Sequence, residues 1–139
     1  MEQQMMEKYG NKALLMVRSA SGIYMLLGIY NLINCFFDWQ DLRYIPIYTV
    51  VILCSAMLRR LKNPWRIIAL IDSIALGICL NGLACLAYHL IPEIRAELNF
   101  TEFEIWQMTY DTPVQIILNI LITAVLLSKP VKKLFVTAQ

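Results

Sequence analysis

Histidine occurs once in this sequence, at position 89, and the four cysteines, Cys35, Cys54, Cys79 and Cys85, form no CxxC pair. Without paired-histidine spacing, an HExxH motif or close thiolates, zinc has no ligand set and thiol redox chemistry has no dithiol. Serine and cysteine near His89 lack an orienting acid at a fitting depth, which leaves nucleophilic catalysis without support. Glycine-rich nucleotide loops are missing too. No metal or other cofactor is therefore expected, and an enzyme is the least supported class, since one distant Asp and His do not make a site. Charge is equally scarce. Only 16% of the residues are charged and 59% are hydrophobic, a balance outside that of soluble globular domains. A net charge of +2 gives no reason to expect a nucleic-acid partner.

What the chain has is apolar length. A spanning helix needs about 20 apolar residues, and shorter ones survive where the bilayer thins or flanking side chains snorkel. Four segments qualify: 19–37, 45–58, 67–91 and 113–127. The second and fourth open at Pro46 and Pro113, which a first helical turn tolerates because its N–H groups lack partners anyway. The expected fold is all-α, a four-span transmembrane bundle forming one membrane domain over residues 1–139. Lys8, Lys12, Arg18, Arg59, Arg60, Lys62, Arg66, Lys129, Lys132 and Lys133 flank the spans on one side, against Arg43 and Arg95 on the other. The positive-inside rule then places both termini in the cytoplasm of a bacterial-type cell membrane. No cleavable signal peptide is expected, because "MEQQMMEKYGNKALLMVR" mixes acids with bases and no small-residue cleavage site follows the first apolar run.

Outside the spans, residues 2–18 suit a cytoplasmic helix with Met5, Met6, Tyr9 and Ala13 on one side. Residues 92–112 form the largest outer piece. Thr101 and Glu104 have capping-box spacing, and a helix starting there aligns Phe103, Trp106 and Tyr110. A short amphipathic helix lying in the outer interface is predicted. The closing "LLSKPVKKLF", residues 126–135, reads as a helix stopped by proline, with basic residues for anionic headgroups.

Polar letters within the spans fall into stripes. Ser21, Tyr24, Gly28, Asn31 and Cys35 share one side of the first span; Ser73, Gly77, Asn81, Cys85 and Tyr88 share one side of the third. In the fourth, Gln115, Asn119 and Thr123 are spaced by four. Counted in helical rises, Asn31, Asn81 and Asn119 lie roughly 13 to 21 Å from the basic ends of their spans, at mid-membrane depth. We expect Asn31, Asn81, Gln115, Asn119 and Thr123 to converge, either as hydrogen-bonding glue between helices or as a small polar binding site. Asp72 is nine positions from Asn81, half a turn out of phase, on the side of Leu76, Cys79 and Leu83. Its favoured role is an ion pair with Arg18 tying the first and third spans, with snorkelling and proton or cation coupling as alternatives. His89 reads as an interfacial histidine and the cysteines as free thiols.

Two functions remain from these observations. One is a protein acting by association with lipid, a membrane-protein partner or further copies of itself, as an accessory or protective subunit. The other is a small oligomeric transporter or channel with Asp72 and the Asn31, Asn81 and Asn119 cluster on its pathway. Small four-helix multidrug exporters share the helix count, but they depend on a glutamate within the first helix, where this chain has no acid.

Overall fold

A computed structural model describes residue 4 and residues 11–37, 39–97, 99–100 and 102–137. Helices follow one another with no strand among the described residues: α1 (Asn11–Phe37), a 3-10 segment (Trp39–Tyr44), α2 (Ile45–Leu58), α3 (Asn63–Leu90), α4 (Pro92–Glu97), α5 (Glu102–Leu127) and α6 (Lys129–Thr137). Three of these, α1, α3 and α5, are long and apolar enough to cross a membrane, while the apolar helical run ending α2 is shorter. The predicted N-terminal residues 2–3 and 5–10 and the capping residue Thr101 lie outside the described residues.

Proline sets several starts. Pro46 stands in the first turn of α2 and Pro64 in that of α3, where no hydrogen bond is lost. Between them the chain turns on Leu61, whose φ of 58° is left-handed. The turn is closed by Arg60 N–H to Met57 C=O at 3.0 Å and Leu61 N–H to Leu58 C=O at 3.1 Å. A leucine is costly in that conformation, and here its side chain is 2% exposed within the core. Burial of the leucine offsets the backbone strain.

Hydrogen bonds fix an alternating up-and-down order. At the end holding the basic link, Ser21 bonds to Ser55, and the buried Arg66 guanidinium donates to the Leu126 carbonyl at 3.0 Å. At the other end Asn31 meets Gln115. Core residues Val17, Tyr24, Leu58, Ile122, Leu126, Leu134 and Phe135 lie toward the basic end, and Leu26, Ile33, Phe36, Ile71, Leu83 and Leu90 are exposed. A helix bundle with such an apolar exterior is at home in hydrocarbon.

Two boundaries differ from expectation. Pro113 does not open the fourth apolar helix, because α5 begins at Glu102 and runs on to Leu127. The predicted interfacial helix is thus its first part, with Phe103 and Trp106 stacked at 6.2 Å, and the loop helix is the six-residue α4. A π-helical stretch, Gln107–Asp111, makes this continuity workable. The Thr112 N–H reaches back to Gln107 C=O, a wide turn placed just before a residue that has no N–H to give. The second difference is at the end of the chain. Pro130 does not terminate order but sits in the first turn of α6, which buries Val131, Leu134 and Phe135 and leaves Lys132 and Lys133 exposed.

Candidate functional site

The stripes become a seam at the centre of the bundle, where α1 and α3 each pack against α2 and α5 and Gly28 lies against Val51 and Ile52 of α2. Ser21, Tyr24, Gly28 and Cys35 on α1 are buried and Asn31 is half-buried; Ser73, Gly77 and Tyr88 on α3 and Gln115 and Asn119 on α5 are buried as well. Small side chains at these positions let the helices approach, which is why polar groups at the next turns reach across.

From the basic end inward, Ser21 Oγ donates to the Ser55 carbonyl at 2.7 Å, and Arg59 Nε donates to Ser21 Oγ at 3.3 Å. One turn deeper the Tyr24 hydroxyl donates to the Asp72 carboxylate. This bond makes the link between the first and third spans that the sequence reading gave to Arg18. On α1 the inward face runs through Val17, Ser21 and Tyr24, and Arg18, one position out of phase, lies on the exposed side. Asp72 also reaches the seam from which a regular helix would exclude it. Residues Ser73–Leu80 are π-helical, so more residues fill each turn and a phase counted at 3.6 per turn drifts across them.

Beyond Asp72 the helices close up. Asn119 occupies the space that a Cβ on Gly77 would fill, and its Nδ2 donates to the Gln115 carbonyl at 2.8 Å. Asn31 and Gln115 then exchange two bonds: Asn31 Nδ2 to Gln115 Oε1 at 2.8 Å, and Gln115 Nε2 to Asn31 Oδ1 at 3.1 Å. Asn31 Nδ2 also donates to its own helix at Leu27 C=O, and Gln115 Nε2 to Asp111 Oδ2 at 3.2 Å.

Of the five residues expected to converge, Asn31 and Gln115 bond to each other across helices, while Asn119 packs against Gly77 and bonds its own helix. Asn81 is turned back on its own helix, donating to the Gly77 carbonyl at 3.3 Å. Thr123 Oγ1 is buried without a hydrogen-bond partner among the described residues, as are Ser73 Oγ and Asn34 Nδ2. Since α3 and α5 run antiparallel with Gly77 opposite Asn119, one turn further sets Ser73 level with Thr123.

The remaining reactive side chains stand apart from the seam. His89 is exposed, with Nε2 3.2 Å from the Met108 carbonyl and its ring edge-on to Tyr88 at 5.0 Å. Cys54, Cys79 and Cys85 are free thiols, and Cys79 is exposed on the bundle surface. Among the described residues no three His, Cys, Asp or Glu side chains gather as metal ligands. The seam offers hydrogen bonds between helices and one carboxylate inside an apolar span. A second feature lies on the outer face of α1 and α5, an apolar groove of about 320 Å³ walled by Leu15, Met16, Ile23, Leu121 and Val125, with Lys12 at one end.

Tyr24 as the partner of Asp72, Arg59 as that of Ser21 and the notch at Gly77 were not foreseen from sequence. The stripe itself carried the signal for Tyr24, since a phenol on a small-residue face has a hydroxyl to place. Compared with models of protein families, with curated proteins and with solved structures, the chain matches none of them.

Proposed function

We propose that this is a multi-pass protein of the cell membrane, with four spans and cytoplasmic termini, that acts by association rather than catalysis, as an accessory or protective subunit. The observation that carries this reading is what the carboxamides at the centre of the seam do. Asn31 and Gln115 satisfy one another and Asn119 fills the notch of Gly77, so these three carboxamides are taken up in packing the helices. What remains for work is the long apolar exterior. Extraction in mild detergent tests the proposal by native mass. A particle holding a defined multiple of the 16.1 kDa chain, or a stoichiometric second component, is expected; a lone monomer overturns it.

A second reading, a small oligomeric transporter, is favoured by one observation, the Asp72 carboxylate inside an apolar helix with Tyr24 upon it. Its signature is a folded Asp72→Asn variant that loses proton or cation flux in proteoliposomes. Equal flux in both proteins removes this alternative.

A further inference from the structure

The groove between α1 and α5 runs along the length of α1's first half. From Lys12 to Ile23 it follows twelve residues of α1, and its far wall is Leu121, Ile122 and Val125. Eleven rises of about 1.5 Å make the groove about 16 Å long, open along one side.

Its two ends differ. The walls are aliphatic and open sideways from two helices long enough to cross a membrane, so hydrocarbon is what they meet. The mouth ends at the exposed Lys12, at the end of the bundle where α6 packs against α1 and presents the exposed Lys132. An apolar slot ending on an ammonium complements an amphiphile with an anionic head. A neutral lipid or an apolar helix satisfies the slot but not the lysine.

We infer that this groove is a binding site for one anionic phospholipid, with an acyl chain along Leu15, Met16, Ile23, Leu121 and Val125 and the phosphate on Lys12. The site deepens the association reading and rests on it for the membrane setting, yet the two fail separately.

Purified full-length protein in neutral detergent is titrated with phosphatidylglycerol and phosphatidylcholine of identical acyl chains, and retained lipid is counted by native mass spectrometry. The wild type retains one phosphatidylglycerol in preference to phosphatidylcholine. Lys12→Gln lowers that preference about fivefold, the worth of one lysine near an anionic surface. Ser19→Phe, at an exposed position lining the groove, abolishes retention of both lipids. Helicity by circular dichroism confirms that each variant is folded. Equal retention of the two lipids by wild type, or retention unchanged in both variants, overturns the site. Dissociation of an oligomer by Ser19→Phe also overturns it, since the occupant is then a second copy. Selective lipid retention by a protein that stays monomeric supports the site while refuting the accessory-subunit reading.

Discussion

Gly77 is where the seam can be challenged by three atoms. A Cβ built there stands 2.7 Å from Asn119 Nδ2 and overlaps the other two atoms of the carboxamide more severely. In Gly77→Ala, Asn119 must rotate away, giving up its 2.8 Å bond to the Gln115 carbonyl. Overpacking of a well-filled interior costs about 1 to 3 kcal/mol and a net hydrogen bond about 0.5 to 1.5 kcal/mol, so a loss of about 2 to 4 kcal/mol is expected. The mechanism also predicts a rescue. In Gly77→Ala/Asn119→Ala the new methyl enters the volume the carboxamide has left, and the double variant is more stable than the summed single effects by about 1 to 3 kcal/mol. Reversible unfolding in mixed micelles, followed by circular dichroism, measures all four proteins. A Gly77→Ala penalty under about 0.5 kcal/mol, or strictly additive penalties, refutes the packing argument.

Three further outcomes test other parts of the bundle in the same assay. Tyr24→Phe leaves the Asp72 carboxylate without its phenol donor and destabilises by about 1 to 3 kcal/mol, a cost that shrinks sharply when Asp72 is already leucine; an undiminished cost there shows that Tyr24 acts by packing alone. Asn31→Leu and Gln115→Leu each lose about 0.6 to 1.7 kcal/mol, and together cost no more than the worse single change, because they break the same pair of bonds. Additive losses contradict the pairing. At the turn, Leu61→Gly relieves about 1 to 2 kcal/mol of left-handed strain that Leu61→Ala retains. Both empty the core, so Leu61→Gly is the more stable of two destabilised variants; the opposite order removes the strain argument.

Periodicity revealed the seam because close helix packing admits few residue types, and those types recur at three and four whatever their partners. The stripe through Ser21, Tyr24, Gly28 and Asn31 was legible for that reason, and so was the start of α2 at Pro46, where the proline sits in the first turn. Pro113 was misleading because the rule for proline assumes regular turns, and the preceding π-helical stretch removes the conflict. The same departure from 3.6 residues per turn misplaced Asp72. Asn81 shows a different limit: depth and face were sufficient to group it with Asn31 and Gln115, yet a carboxamide can bond its own helix as readily as a neighbour. In α6 the spacing of Val131, Leu134 and Phe135 was visible, but the basic residues between them drew attention to the headgroups instead.

The wide turns of Ser73–Leu80 join two halves of α3 that meet α5 at its opposite ends. Its first half carries Asp72 toward Tyr24 and Arg66 toward Leu126, and its second half carries Cys85 and His89 toward Met108. A one-residue deletion within this stretch draws on slack already present, tightening a wide turn into an ordinary one, whereas the same deletion elsewhere in α3 rotates everything beyond it by about 100° with nothing to absorb the change. The chain thus has a built-in length tolerance at the middle of α3, where the register between two ends of one helix pair can be set independently.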